Sequence, residues 1–425
     1  MKIIQTFWTA GQDPLKHSFG WTHPEYNLMS WALSCLSLRE HYDEVELYTD
    51  SAGYHILIEV LQLPYTKTHV IFDDFQCLPH HWALSKIKTY SLQTEPFLHI
   101  DGDIYLPRPL PERVLNAPLV AQNREIGTGY YKNMMNRILE FPDIHLPNYI
   151  TNGLSEESIA SYNMGIFGGN NIPFIHDYCR EVFSFMDENS MNNKEHERSH
   201  VDCNVFFEQV IFAVYSDLHH KFVDSVLGKP MIDEGYMGKD FCALKDYEEK
   251  QFFHILGGHK RNKGINNMLE RTLIRLYPSY YKRIANVFPD RHNEWINSEE
   301  AEEMFMTERL ISSAFKFIDV PPKEQDRFVI KNNPFVKKVY YSRNKLFLRR
   351  TRTSHILEDV PIGKLAENII AILSEKELLY SELKKRTKKT FARKLKKRFD
   401  KIIEDEMTYL LYYGVITAEC ITNKF

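Results

Sequence analysis

The sequence has no run of roughly 18 apolar residues, the length a membrane-spanning helix needs. Its opening, Met1-Lys2-Ile3-Ile4-Gln5-Thr6-Phe7-Trp8, also lacks the charged lead and apolar stretch of a signal peptide. Both absences lead to the expectation of a cytoplasmic chain without a transmembrane segment. Cysteine is scarce: the six in 425 residues (Cys35, Cys77, Cys179, Cys203, Cys242 and Cys420) include no short pair. Scattered in this way they form neither a zinc-binding doublet nor a redox dithiol, and read as reduced, mostly buried thiols. A Walker-type loop is missing, which removes one common phosphate cradle. Neither an internal repeat nor a low-complexity tract interrupts the chain.

What is present suits a soluble globular protein, with 43% hydrophobic and 26% charged residues. The length is too great for one typical core and suggests two or three domains. The formal net charge of −4 hides an asymmetry: residues 321–405 carry 23 of the 53 basic side chains and 11 of the 57 acids, so this stretch is about +12 and everything else about −16. Two functional parts follow.

In the first 280 residues short β-like runs alternate with helical stretches, the pattern of an α/β sheet. The runs are Ile3–Phe7, Val45–Thr49, His69–Phe72, Phe97–Ile100, Leu119–Gln122, Met164–Phe167 and Phe252–Ile255. Leu28, Trp31, Ala32 and Cys35 recur at helical spacing, and Trp82 to Leu92 is built of good helix formers. Strand-helix-strand units imply largely parallel pairing, and open sheets of that kind bind ligands beyond the carboxyl ends of their strands.

Asp101-Gly102-Asp103 stands at such an end, after Phe97-Leu98-His99-Ile100. Two acids flanking a glycine can be ordinary turn chemistry. They can also present hard oxygen ligands on one side of the chain, and Mg²⁺ or Mn²⁺ held there would carry a diphosphate.

The acid pair after an apolar strand, with Trp82 and Lys86 on the preceding helix, resembles the DxD element of GT-A-fold glycosyltransferases, which move a sugar from a nucleotide-diphosphate donor. Further segments match in order. Tyr162-Asn163-Met164-Gly165-Ile166-Phe167-Gly168-Gly169 resembles the FNxG strand of that family, Phe207-Glu208-Gln209 its acidic-Gln pair, and His254-Ile255-Leu256-Gly257-Gly258-His259-Lys260 its HxxGxxK segment. The likeness covers roughly residues 1 to 265. The Phe-Trp start, Tyr-Thr-Asp and Asn-Met-Gly-Ile-Phe-Gly-Gly elements also resemble an uncharacterised bacterial family. Two departures stand out: Arg261 follows Lys260 where proline is common, and Glu208 replaces an aspartate.

The resemblance implies a Rossmann-like GT-A domain over 1–285, a helical linker over 286–325 and a metal-dependent hexosyltransferase-like activity, glycogenin-like and retaining. It implies Asp101, Asp103 and His254 as metal ligands, with Asp101 able to take the ribose instead, and Lys260 on the diphosphate with Gly257 and Gly258 giving it room. Cleavage of a nucleotide-sugar bond builds negative charge on the leaving phosphate, which such a cation and lysine would stabilise. Thr9 and Asp50, at the ends of the first two strands, are candidates for nucleobase or ribose, with helix capping as the other use of Asp50. Lys86 suits a phosphate or a solvated helix face. Asn163 and the Gln122-Asn123 pair suit hydroxyl-rich ligands. Glu208 with Gln209, and Asp202 after them, are candidates for the acceptor step.

After Pro321-Pro322, strand-like Phe328–Ile330, Val339–Tyr341 and Leu346–Leu348 precede three helices and Val415-Ile416-Thr417, with Gly414 as a stop. Residues 326–425 resemble a winged helix of the kind that recognises leader peptides. Lys384 to Lys389 and Arg393 to Arg398 could bind an acidic peptide, or the phosphates of nucleic acid, which is the less expected partner. The acceptor is therefore a peptide or a glycan. The rival functions are a metal-dependent phosphohydrolase or nucleotidyltransferase using the same acids, and a non-catalytic adaptor working through the basic part.

Overall fold

The computed structural model describes the chain except residues 128, 142, 154–158, 197–202, 229, 233–241, 243, 245–246, 291–295, 343–344, 351–358, 392–398 and 422–425. Asp202 and the Arg393–Arg398 run therefore lie outside the described residues. The chain divides into two compact units, one of residues 1–262 with 279–291, the other of 263–278 with 292–425.

The first unit is built on a mixed, parallel-rich sheet of eight strands. In chain order these are β1 (Lys2–Phe7), β2 (Val45–Thr49), β3 (Lys67–Val70), β4 (Phe97–Ile100), then, after the two-residue β5 (Ile104–Tyr105) outside the sheet, β6 (Val120–Ile126), β7 (Ala160–Gly169), β8 (Asp224–Ser225) and β9 (Met231–Ile232). Their spatial order is β3-β2-β1-β4-β7-β6-β8, with β9 also on β6. β1 runs parallel to β2 and β4, and β2 to β3. Only β7 opposes its neighbours β4 and β6. This is the largely parallel α/β sheet that the alternating pattern predicts. The antiparallel strand is the part that hydrophobic runs do not signal, because strand direction leaves no mark on apolar content.

Both faces of the sheet are covered. On one, Ile4, Phe97, Ala121 and Phe167 pack with Tyr90, Tyr178 and Phe212. On the other, Ile3, Val45, Leu98 and Ile166 join Leu38 and Leu106. Burial on two faces explains why the strands read as continuous apolar runs. Helix Pro24–Arg39 is buried nearly all round, Leu28 to Leu38 included. Its serines Ser30, Ser34 and Ser37 are inside as well: Ser30 and Ser34 donate to carbonyls of the acid turn described below, and Ser37 accepts from Leu106 N–H.

Two features set the strand ends. Gly168 and Gly169 have φ of +152° and +135°, and a Cβ on either would strike the carbonyl of Phe97 or Pro118 at 2.1 Å. Glycine is needed there for β7 to approach its neighbours. The last strand, β10 (Phe253–His254), pairs antiparallel with β5, aligning His254 with Ile104.

In the second unit, β11 (Phe328–Asn332) lies between β15 (Leu378–Leu379) and β16 (Ile416–Cys420), antiparallel to both. β12 (Val336–Ser342), β13 (Lys345–Arg350) and β14 (Asp359–Pro361) form a separate three-stranded sheet. Helices Lys364–Glu375, Tyr380–Phe391 and Phe399–Tyr412 supply Ile369, Leu383, Ile403 and Leu410 to a core shared with Phe317 and Phe328. Gly414, at φ +65°, ends the last helix, with Val415 N–H returning to the Leu410 carbonyl. Helix Ser298–Asp319 is capped by Asn297, whose side chain accepts from Glu300 N–H, and belongs to this unit.

No helix among the described residues is long and apolar enough to cross a membrane.

Candidate metal and nucleotide site

The acid turn is held from several sides. Asp101 N–H donates to the Gly165 carbonyl at 2.8 Å, and Ile104 N–H closes the turn onto the Asp101 carbonyl at 3.0 Å. Gln5 reaches the Ile100 carbonyl, and Ser30 donates to the Gly102 carbonyl at 2.8 Å. Gly102 is required sterically: a Cβ there would meet the Trp31 ring at 2.5 Å. The buried serines of helix Pro24–Arg39 thus satisfy a backbone turn that no strand can pair.

Asp101, Asp103 and His254 come together, with one ligand atom from each within 4.8 Å of the others. His254 arrives from β10 and is oriented by Gln122, whose Oε1 lies 2.7 Å from its Nδ1. Gln122 sits where the β6–β7 register shifts between Ala121 and Asn123, and such a bulge re-aims a side chain. With Nδ1 turned to Gln122, Nε2 faces Asp103, 3.4 Å from its Oδ1. Gly165 makes room for the ring, since a Cβ there would lie 2.5 Å from His254 Cε1.

Two lysines bracket the acids. Lys86 Nζ is 2.8 Å from Asp101 Oδ1, 2.5 Å from Glu208 Oε1 and 3.4 Å from the Met164 carbonyl. Lys260 Nζ is 2.7 Å from Asp103 Oδ2 and lies over the Trp21 ring. Burial alone would drive Lys86 neutral, but Asp101 and Glu208 outweigh it and raise its pKa. Burial pushes the Asp101 and Glu208 carboxyls up against the pull of Lys86. Asp103 is displaced the other way: burial would raise it, yet Lys260 and His254 hold it well below the usual carboxylate range. The site therefore keeps an ionised carboxylate beside an imidazole, a donor set of hard oxygens and one borderline nitrogen that fits a divalent ion such as Mn²⁺ or Mg²⁺.

The other sequence candidates fall into two groups. Asn163 accepts from Gly165 N–H at 3.1 Å, on the strand that carries the site. Gln209 Oε1 accepts from Tyr131 Oη at 2.8 Å, while its neighbour Glu208 faces Lys86. Gly257, at φ +40°, and Gly258 open the turn that carries Lys260, and a Cβ on either would meet nothing within 4 Å. Thr9 and Asp50 pair with each other instead: Asp50 Oδ2 accepts from Thr9 N–H and Oγ1–H at 2.8 and 2.7 Å, and Oδ1 accepts from Gly53 N–H. These are the contacts of a helix cap. Nearby, a cavity of about 390 Å³ is lined by residues 11–15 with Ala52, His55, Ile56 and Val287, and by none of the acid cluster.

Two groups had no sequence signal. Glu125, 5% exposed, accepts from Tyr131 Oη at 2.7 Å and from Asn123 Nδ2, and burial raises its carboxyl pKa. It was hidden because the apolar run ends at Gln122 whereas β6 continues to Ile126. His99 lies 3.6 Å from Asp101 Oδ1, but burial and Lys86 hold its pKa well down, so it acts there as a neutral ring.

A doubly covered α/β sheet with an Asp-Asp-His cluster at the carboxyl end of its parallel strands defines a protein with a candidate divalent-metal centre. Residues 1–287 match the profile of a family of unknown function, DUF6734, and the chain belongs to that family. No curated protein matches it. Among solved structures, mouse xyloside xylosyltransferase 1 in its apo form is similar over 53% of this chain and 84% of that one, with 10% identity and a TM-score of 0.29.

Proposed function

We propose that the chain is a metal-dependent glycosyltransferase that moves a sugar from a nucleotide-diphosphate donor to a peptide or glycan acceptor. The observation that carries this reading is the meeting of Asp101, Asp103 and His254 at one strand end with Lys260 on Asp103. Asp103 and His254 hold the divalent ion, with Asp101 as third ligand. When bound, that ion supplies positive charge for a departing diphosphate. Lys260, already at the site and on a glycine-opened turn, donates to the same phosphates. Lys86 fixes the Asp101 carboxylate, and buried Glu208 keeps Lys86 charged rather than touching an acceptor. Gln209 and Asn163 offer amides to sugar hydroxyls, each of which costs about 1–3 kcal/mol if buried unpaired. Thr9 and Asp50, hydrogen-bonded to each other at the ends of the first two strands, are the candidates for nucleobase or ribose. Residues 326–425 form, on this reading, a winged-helix-like module.

The test is a thermal-shift screen of nucleotide sugars with Mn²⁺, since a true donor at a hundredfold excess over Kd stabilises by about 2.7 kcal/mol. Turnover should release a nucleoside diphosphate, and Asp103→Asn should abolish it. Release of free phosphate or pyrophosphate would instead identify a phosphohydrolase or nucleotidyltransferase.

A further inference from the structure

Trp82 is an exposed aromatic beside this site. Its side chain belongs to a residue 49% open to solvent, yet Lys86 Nζ lies 6.0 Å from the ring centre. Because that same nitrogen is 2.8 Å from Asp101 Oδ1, the ring centre is within about 9 Å of the carboxylate.

The backbone under the ring is pinned on both sides. Buried Asn204 accepts from Ala83 N–H at 3.0 Å and donates to the His80 carbonyl at 2.5 Å. Asn192 Oδ1 accepts from Leu78 N–H and lies 3.1 Å from His81 Nδ1. Ser85 closes the first helical turn onto the Trp82 carbonyl with both its N–H and its hydroxyl. A large apolar ring left in water on so fixed a base is a preorganised contact surface rather than a loose side chain.

Charge selects what it receives. Lys86 has three N–H donors, and Asp101, Glu208 and the Met164 carbonyl face all three. Surrounded in this way, Lys86 has no donor left to offer a phosphate beneath the Trp82 ring, and its charge is balanced by Glu208. At the opposite end Lys260 adds positive charge beside Asp103. A neutral ligand with an apolar face and a polar rim is therefore preferred over Trp82, and a pyranose ring has that form: axial C–H groups on one face, hydroxyls around the edge.

We infer that Trp82 is the platform for the acceptor and that the acceptor presents a neutral sugar ring. The inference rests on the glycosyltransferase reading and names its second substrate class. The expected contribution of such a stacked contact is about tenfold in affinity.

The experiment uses the full chain with Mn²⁺. Saturation-transfer NMR and calorimetry measure binding of lactose, cellobiose and maltose, and separately of UDP, GDP and ADP, to the wild type, Trp82→Phe and Trp82→Ala. At least one disaccharide should bind the wild type, weaken about tenfold in Trp82→Ala and change less than threefold in Trp82→Phe. The nucleotide that binds should keep its affinity in all three proteins, which also shows that the variants are folded. Disaccharide binding undiminished in Trp82→Ala, no disaccharide binding to the wild type, or a loss confined to the nucleotide would each overturn the inference. The last outcome would make Trp82 a nucleobase platform. Failure of the underlying reading is seen separately, as nucleotide binding unaffected by Asp103→Asn.

Discussion

Gly165→Ala tests whether the imidazole of His254 is positioned as the site requires. The backbone at Gly165 is not in the left-handed region, so alanine meets no conformational penalty there and acts by contact alone. Its Cβ would lie 2.5 Å from His254 Cε1, 2.9 Å from Nδ1 and 2.9 Å from Ile104 Cδ1. Relief to an ordinary carbon contact needs a displacement of about 1 Å. The ring cannot give that much and keep its 2.7 Å bond to Gln122. The main chain on either side is also fixed, through β10 pairing with β5 and Ile255 N–H on the Asp103 carbonyl. Overpacking should cost about 1–3 kcal/mol of stability. Losing the partner that orients a metal-binding histidine should raise the Mn²⁺ dissociation constant 10- to 100-fold, as other outer-sphere changes do. Calorimetric titration with MnCl₂ at fixed nucleotide gives the affinity, and urea unfolding gives the stability. Since the clash is with His254 itself, Gly165→Ala should destabilise a His254→Ala background much less than the wild type. A folded Gly165→Ala protein with undiminished Mn²⁺ affinity would refute the proposed role of His254.

Replacing Lys86 by Met leaves Asp101 and Glu208 buried without their shared cation, for an expected loss of about 3–5 kcal/mol at neutral pH. The pH dependence has a fixed sign. Burial already raises both carboxyls, and without Lys86 that push is unopposed. An acid whose pKa is higher folded than unfolded takes up protons on folding, so the deficit should shrink as pH falls from neutral through the carboxylate range. Equal deficits by urea unfolding at pH 7.5 and pH 5 would argue against this charge arrangement. Asp50→Ala removes three accepted hydrogen bonds and should cost about 1–2 kcal/mol in melting experiments without changing Mn²⁺ affinity, if capping is its role. Gly102→Ala should destabilise by about 1–3 kcal/mol through the Trp31 ring, and a Trp31→Ala background should recover most of it.

The alternation of apolar runs with helical spacing placed β1–β4, β6, β7 and β10 within a few residues, Val45–Thr49 and Phe97–Ile100 coinciding with β2 and β4, and gave no sign of the two-residue β5, β8 and β9. Local composition sufficed because a doubly covered parallel sheet needs continuous apolar strands whatever their order. The acid pair was legible for a similar reason, since glycine between two acids at a strand end is a local feature. His254 and Lys260 became legible through their order in the chain. Glu125 and the orienting part played by Gln122 were not, because a strand that turns polar at its far end gives no apolar signal beyond Gln122.

The sequence by itself determined the element types, the turn at Gly102 and the chemical identity of the donors, since these depend on neighbours a few residues apart. Tertiary structure alone decided that β7 enters antiparallel, that Glu208 serves Lys86 rather than open solvent, and that Asp50 takes Thr9 as a partner. Each of those outcomes depends on groups tens to more than a hundred residues away in the chain, and pairing across such distances is set by packing and charge balance in the folded core, where local propensity has no say.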